Sequence, residues 1–129
     1  MGGTSILEPS VSANCFLYNI ESGKSEQLAS MNQPRCQASV VYCNRSLFVI
    51  GGRGKDYIAV NSMERYDIDA NLNWQPLESM PRGRFGHVSW SYDSMIFVMG
   101  GISRQNGAVI STIDIFDINT GAWIECKIK

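Results

Sequence analysis

Short apolar runs alternate with polar, turn-forming stretches along the whole chain. Residues 47–50 and 96–99 are apolar, and each run ends in a double glycine. In the unit around the first double glycine, β-compatible runs cover residues 37–42, 47–50, 62–68 and 74–77. The connectors are short and polar, as in antiparallel hairpins. The pattern therefore predicts a four-stranded antiparallel meander in each unit.

The units repeat with a period of about 49 residues, which indicates a propeller or a solenoid. Shifting the chain by one period aligns Arg35 with Arg84 as well as the glycines. A partial third copy precedes them, because Tyr18-Asn19-Ile20 matches the later Tyr-Asp-Ile and Phe-Asp-Ile. We therefore divide the chain into a half unit at residues 1–31 and whole units at 34–80 and 83–129.

Glycines and aromatic residues hold the repeated positions. A residue without Cβ lets another strand approach closely, and rings that recur at one position are expected to pack between neighbouring sheets. Ser25 stands where the later units have Trp, so the first unit is expected to pack less well. The predicted structural positions are Gly51, Gly52, Tyr66, Trp74, Gly100, Gly101, Phe116 and Trp123.

Composition narrows the function classes. The 129 residues are 44% hydrophobic with a net charge of −1, which gives no reason to expect binding to nucleic acid or to an anionic membrane. The apolar runs are far shorter than the roughly 20 residues that span a bilayer. The four cysteines lack metal-ligand spacing, which favours free, mostly buried thiols in a reducing compartment over disulfides. We expect a cytoplasmic protein.

The double glycine after an apolar strand, the Tyr-Asp-Ile and the Trp about seven residues later resemble kelch repeats. The resemblance covers essentially the whole chain and implies an all-β, kelch-type β-propeller fragment of about two and a half four-stranded blades. Such a fragment cannot close a ring. It is either part of a longer chain or one chain of an assembled propeller, and its open faces are expected to cause self-association.

The resemblance also implies where partners dock. In kelch substrate adaptors, loops at one end of the ring bind the partner, and arginines at positions like those of this chain hold acidic peptide motifs. A guanidinium offers a rigid fork of donors that matches a carboxylate. Arg35 and Arg84 could equally brace the turns between blades. The candidate partner-binding residues are Arg35, Arg53, Tyr57, Arg84, Ser103, Arg104 and Asn106.

No catalytic or metal-binding constellation is recognisable. His87 is the only histidine, and we interpret it as a strand residue that faces a blade or the central channel. Asp67, Asp69, Asp114 and Asp117 lie at strand ends and turns, where Asp stabilises the local backbone. We expect no enzyme activity, no metal and no cofactor.

Two functions remain open. The resemblance to BTB-kelch proteins implies an interaction module that recognises a substrate for a cullin-type ubiquitin ligase, which would bind through a further domain. The alternative is a cytoskeletal scaffold that binds actin, as other kelch proteins do.

Overall fold

The computed structural model describes residues 15–19, 22–70, 73–103 and 107–127. All regular structure in these ranges is β, and none of them contains a helix. The predicted all-β fold, an open arrangement of four-stranded antiparallel sheets, is confirmed. The strands are β1 Cys15–Asn19, β2 Lys24–Leu28, β3 Ser39–Cys43, β4 Ser46–Ile50, β5 Met63–Asp67, β6 Gln75–Pro76, β7 Arg84–Phe85, β8 Val88–Tyr92, β9 Met95–Met99, β10 Ile102–Ser103, β11 Thr112–Asp117 and β12 Ala122–Lys127.

The strands form three successive structural units. β1 and β2 form the first hairpin, and β3-β4-β5-β6 form the middle sheet in chain order. The last sheet has the order β12-β11-β9-β8, and all its neighbours are antiparallel. β7 and β10 form a separate short pair beside the last sheet. Both four-stranded sheets are therefore meanders, as the polar connectors predict.

Tight turns join the first two strands of each sheet. Asn44 and Arg45 have φ of 52° and 59°, and Asp93 and Ser94 have 51° and 60°. Two successive left-handed residues are typical of the two-residue hairpin turn whose twist matches that of the strands. The polar connectors predicted from the sequence are therefore hairpin turns, with Ser46 already in β4.

Aspartates close the turns between the third and fourth strands. Asp67 Oδ1 accepts hydrogen bonds from the backbone N–H groups of Asp69 and Ala70, at 3.0 and 3.2 Å. Asp117 Oδ1 accepts the equivalent bonds from Asn119 and Thr120, at 2.9 and 3.4 Å. The carboxylates thus hold the local backbone, which is the structural role expected of them.

The first strand of the middle sheet begins later than predicted. Gln37 has a φ of 55°, which is outside the β region, and it separates β3 from the preceding residues. Cys36 instead pairs with Arg53 through two backbone hydrogen bonds of 3.0 and 2.8 Å. The predicted strand 37–42 therefore begins only at Ser39. The predicted strand 74–77 is shorter in the structure, where only Gln75 and Pro76 pair with β5.

The second glycine of each pair lies against the chain that leads into the same sheet. A Cβ on Gly52 would lie 2.6 Å from the carbonyl oxygen of Cys36, and one on Gly101 would lie 2.7 Å from that of Phe85. Their φ angles are 95° and 87°. Close backbone approach and positive φ together require glycine at both positions.

The recurring tryptophans connect neighbouring units. The rings of Tyr66 and Trp74 are 5.2 Å apart, and those of Phe116 and Trp123 are 5.1 Å apart. Trp74 Nε1–H donates to the Ala29 carbonyl at 2.7 Å, and Trp123 Nε1–H donates to the Glu78 carbonyl at 2.8 Å. Each indole therefore ties its own sheet to the end of the preceding unit. The side chain of Ser25 lies outside the described residues.

Two apolar clusters fill the spaces between units. One lies between the first hairpin and the middle sheet and contains Leu28, Met31, Leu47, Val49, Tyr66 and Trp74. The other lies between the middle and last sheets and contains Val41, Phe48, Ile50, Met63, Met80, Ile96, Val98 and Phe116. Burial of each large side chain there contributes about 2–3 kcal/mol.

Cys36, Cys43 and Cys126 are free thiols, as predicted. The expectation that they are mostly buried is wrong for two of them. Cys36 is buried, whereas Cys43 is half-buried and Cys126 is exposed. Cys126 lies on β12, the outermost strand of the last sheet, where a side chain has few neighbours.

Candidate protein-interaction site

Arg35 lies in the interior, with its side chain fully enclosed. Its Nη2 is 2.8 Å from Glu64 Oε2, and its Nη1 donates to the carbonyl oxygens of Gly51 and Ser62, both at 3.0 Å. Glu64 also accepts hydrogen bonds from the backbone N–H groups of Asn32 and Gln33, at 2.7 and 3.2 Å. The ion pair therefore joins β5 to the turn that leads into the middle sheet.

Arg84 on β7 repeats this arrangement beside the last sheet. It is fully buried, pairs with Asp114 on β11, and donates from Nη1 to the Gly100 carbonyl at 3.1 Å. Burial lowers the pKa of Arg84, while nearby Asp114 opposes the shift. Burial likewise raises the pKa of Asp114 against the effect of Arg84 and Arg82. Each pair is desolvated and joins a strand of its sheet, β5 or β11, to the chain that leads into that sheet.

These contacts favour the bracing interpretation of Arg35 and Arg84. A ligand carboxylate could reach either guanidinium only by displacing a buried carboxylate, which would then be left without its partner charge. Breaking a buried ion pair in this way costs several kcal/mol. A partner contact at these two arginines stays a prediction.

The loop after β4 forms a small hairpin of its own. Gly54 N–H donates to the Ile58 carbonyl at 2.9 Å, and Val60 N–H donates to the Gly52 carbonyl at 2.8 Å. Between these bonds, Arg53 and Ala59 form an isolated antiparallel β-bridge. Tyr57 has a φ of 62°, which turns the chain at the tip. The loop therefore presents its tip residues, Lys55 to Ile58, in one defined conformation.

Arg53 organises the surface beside this loop. Its guanidinium carbon lies 4.5 Å from the centre of the Phe85 ring and 5.9 Å from that of Tyr57. Its Nε–H donates to the Tyr57 carbonyl at 2.9 Å. The Tyr57 side chain is 41% exposed, and Arg53 and Phe85 are half-buried. We call Arg53, Tyr57 and Phe85 the arginine–aromatic cluster.

The equivalent loop of the last sheet begins next to this cluster. Ser103 on β10 pairs with Arg84 of β7, and Ile102 pairs with Phe85. Arg53, Tyr57 and Ser103 of the predicted set are thus at the same end of the sheets. Arg104 and Asn106 lie outside the described residues. Sequence analysis missed Phe85, because the equivalent residue of the preceding unit is Cys36 and no repeat marks it.

His87 is a buried, neutral residue between the sheets. It precedes β8, and its Nε2 lies 2.9 Å from the Ile50 carbonyl oxygen, which can only accept. Nε2 therefore carries the proton. Burial is the main reason that its pKa falls to about 4, with a smaller lowering from Arg84 and an opposing contribution from the bond to Ile50. His87 thus joins the end of β4 to the beginning of β8.

The part of the chain that the structure describes contains no group of three or more His, Cys, Asp or Glu residues placed to hold a metal ion. Nor does any helix in it have the length and apolarity to cross a membrane.

Comparison with known proteins identifies the repeat. The family model described as the Kelch motif matches residues 34–81. The chain is 32% identical to beta-scruin of Limulus polyphemus over 103 residues, which is 80% of the chain. It is 27% identical to the human Kelch-like protein 15 over 92% of the chain, and 27% identical to an F-box/kelch-repeat protein of Arabidopsis thaliana over 87%.

The chain belongs to the kelch-repeat family. Its sheets are kelch blades, and the open arrangement is a fragment of a kelch-type β-propeller. The aligned segment covers 11% of beta-scruin, 19% of Kelch-like protein 15 and 30% of the F-box/kelch-repeat protein. The kelch repeats mark the chain as a protein-interaction module.

Proposed function

We propose that this kelch chain is part of the propeller with which a cullin-type ubiquitin ligase adaptor recognises its substrate protein. Its similarity to Kelch-like protein 15 and to an F-box/kelch-repeat protein supports this proposal. The ligase would bind through a further domain of the adaptor, and the propeller would select the substrate.

The arginine–aromatic cluster is the observation that carries this proposal. Arg53 is half-buried and is held by stacking on Phe85, whereas Arg35 and Arg84 are fully enclosed. A guanidinium fixed in this way loses little side-chain freedom when it binds a carboxylate. Tyr57 adds an exposed ring to the same surface. The cluster thus suits an acidic segment of a partner protein.

The remaining candidate residues fall into two groups, those that would contact the partner directly and those that would mainly support the loops. Ser103, Arg104 and Asn106 would extend the contact surface from the neighbouring loop and set selectivity. Arg35 and Arg84 would act mainly by holding the turns from which the loops project, with direct contact a secondary prediction.

The test compares captured proteins for matched variants. The chain carries an affinity tag within its native protein, and mass spectrometry compares wild type with Arg53→Glu, Tyr57→Asn and Lys24→Glu. Tyr57→Asn removes the ring but suits the left-handed backbone, and Lys24→Glu changes an exposed charge on the first hairpin. We expect a cullin in every eluate and a partner that both cluster variants lose. A partner retained by both variants would refute the site, and absence of cullin would refute the adaptor role.

Actin binding is the second candidate, favoured by the 32% identity to beta-scruin. Cosedimentation of the native protein with actin filaments distinguishes the two functions. Sedimentation with filaments, together with a capture that contains actin but no cullin, would replace the adaptor proposal.

The proposal assigns no reaction to this chain and places it in the cytoplasm. The free thiols of Cys36, Cys43 and Cys126 agree with a reducing compartment. Fluorescence imaging of the tagged native protein tests the location.

A further inference from the structure

The outer edges of the two four-stranded sheets differ in whether another strand can pair there. The middle sheet ends in β6, which consists only of Gln75 and Pro76. A very short edge strand with a proline, which has no N–H to donate, is a usual protection against pairing with another chain. The last sheet ends in β12, which has six residues and no proline. No residue in the described ranges pairs with the outer edge of β12, so the last sheet has an open edge that the middle sheet lacks.

The row of side chains that reaches this edge is apolar. Ile124 on β12 is opposite Ile115 on β11, and Ile115 is opposite Phe97 on β9. In the middle sheet the two equivalent outer positions are Arg65 and Gln75, which are polar. Paired side chains of neighbouring strands stabilise a sheet, and an apolar residue at an open edge favours the addition of a strand.

A neighbouring blade does not cover this outer position. Gln75 is exposed, although the last sheet packs against the same face of the middle sheet. Ile124, at the position equivalent to Gln75, is 49% exposed. A partner that removes Ile124 from water is therefore expected to approach along the open edge rather than from the face of the sheet.

A second copy of β12 fits this edge in antiparallel orientation. Side chains alternate between the faces, so a two-fold axis perpendicular to the sheet sets one residue of the strand opposite itself. Two such registers keep most of β12 paired, one centred on Glu125 and one on Ile124. The first sets two carboxylates opposite each other, which is unfavourable. The second pairs the two isoleucines and sets Trp123 opposite Glu125, whose carboxylate already pairs with Arg82.

We infer that β12 is a dimerisation edge, at which two copies of this chain join through antiparallel pairing centred on Ile124. The two last sheets then form one continuous sheet, and the apolar row of one copy continues into that of the other. Main-chain hydrogen bonds between the two strands supply the attraction, and the isoleucine pair fixes the register. The inference does not rest on the proposed function, because β12 is not part of the loop surface.

Disulfide trapping in the native protein tests this pairing. In the inferred register Ala122 is opposite Cys126 of the second copy, and the Cα atoms of opposite residues are about 4.5–5.5 Å apart, a separation that a disulfide spans. Cys126 is a free, exposed thiol. Under mild oxidation Ala122→Cys should therefore give a linked dimer, in which mass spectrometry identifies the peptide that joins position 122 to Cys126. Absence of this peptide would overturn the inference.

The wild type provides a check on the register. Centring on Ile124 leaves the two Cys126 residues four positions apart along the strands, which is about 13 Å, too far for a disulfide. We expect the wild type to form no disulfide between the two Cys126 residues under the same conditions. A wild-type link as abundant as that of Ala122→Cys would contradict the inferred pairing.

Two further variants in the Ala122→Cys protein locate the contact. Ile124→Lys should lower the yield of the disulfide about fivefold, because it sets two like charges opposite each other. Ile58→Lys makes the same change on the loop after β4, at a residue that is 44% exposed, and should leave the yield unchanged. An unchanged yield in Ile124→Lys, or an equal loss in both variants, would refute the edge pairing.

Trp90→Glu separates edge pairing from association through the uncovered face. Trp90 is 42% exposed on β8, at the opposite side of the same sheet from β12. Added to the Ala122→Cys protein, Trp90→Glu should leave the yield of the disulfide unchanged. A loss as large as that in Ile124→Lys would show that the two copies meet through the face and would refute the inference.

Discussion

The middle and last sheets share one repeat but differ in what covers them. In the middle sheet all five residues of β4 are buried, whereas in the last sheet the residues of β9 alternate between buried and half-buried. Val41 is 4% exposed, and Trp90 at the equivalent position is 42% exposed. The middle sheet lies between two neighbours, while no described residue covers the second face of the last sheet.

This difference shows that the residues of one blade are buried by the neighbouring blade. The sequence pattern of each unit is nearly the same, so the enclosure of Phe48 and Val41 comes from the following sheet rather than from their own strands. Equivalent residues in the two sheets therefore form matched pairs. The member in the middle sheet is covered by the following sheet, whereas no described residue covers the member in the last sheet in this way.

The largest difference in stability loss between equivalent residues is expected for Phe48 and Phe97. Phe48 is fully buried, so Phe48→Ala should lower the free energy of unfolding by about 3–5 kcal/mol. Phe97 is half-buried and stacks on Trp90 at 5.4 Å, so Phe97→Ala should cost about 1–2 kcal/mol. Urea unfolding of both variants measures the two values, and equal values would contradict the comparison.

The second largest difference is expected between Gly51 and Gly100, the first glycines of the two double glycines, in the stability that each loses on substitution by alanine. A Cβ on Gly51 would lie 2.8 Å from the Arg84 carbonyl oxygen, whereas one on Gly100 would meet nothing within 4 Å. Both residues have positive φ, so alanine is strained in either place. Gly51→Ala should cost about 3–4 kcal/mol and Gly100→Ala about 1–2 kcal/mol. If Gly100→Ala lowered the free energy of unfolding as much as Gly51→Ala, backbone strain would account for both losses and the close contact at Gly51 would add nothing.

The junction between the two sheets should respond to pH through His87. Its pKa is about 4 in the folded chain, compared with 6.5 for an ordinary histidine, so below pH 6.5 the unfolded chain binds a proton that the folded chain does not. Stability should therefore fall as the pH drops from 6.5 to about 4, by about 3 kcal/mol in total.

His87→Gln provides the control for this effect, since a glutamine amide can still donate to the Ile50 carbonyl but does not titrate. The unfolding free energy of the wild type minus that of His87→Gln should fall by about 3 kcal/mol between pH 7 and pH 4. A difference that stays constant over this range would show that His87 is not buried as a neutral base.

The smallest effect on stability is expected at the uncovered face. Trp90→Glu should change the free energy of unfolding by only about 1 kcal/mol, but it should reduce the self-association that an exposed apolar face promotes. Tyr42→Glu, at an exposed residue next to the hairpin turn of the middle sheet, is the control. Sedimentation velocity over a range of concentrations measures both, and unchanged association in Trp90→Glu would exclude this face as its cause.

The sequence predicts the repeat, the meanders and the glycine positions, since close backbone approach leaves a recurring signal. It cannot separate the two roles of Arg35 and Arg84, because bracing and binding would both recur with the repeat. The burial of their partners Glu64 and Asp114, which favours the bracing role, is visible only in the three-dimensional structure. The contact of Phe85 with Arg53 could not be predicted, because the equivalent residue of the preceding unit is Cys36. The left-handed conformation of Gln37 could not be predicted either, because none of the usual turn residues is next to it.

Site-specific photocrosslinking tests most directly whether the loop surface contacts a partner protein. A photoreactive phenylalanine analogue replaces Ile58 beside the arginine–aromatic cluster, or Tyr42 at the opposite end of the middle sheet, in the native protein. We expect a partner to crosslink through position 58 and not through position 42, with the product lost when Arg53→Glu is added. Crosslinking through position 42 alone, or a product at 58 that survives Arg53→Glu unchanged, would contradict the account.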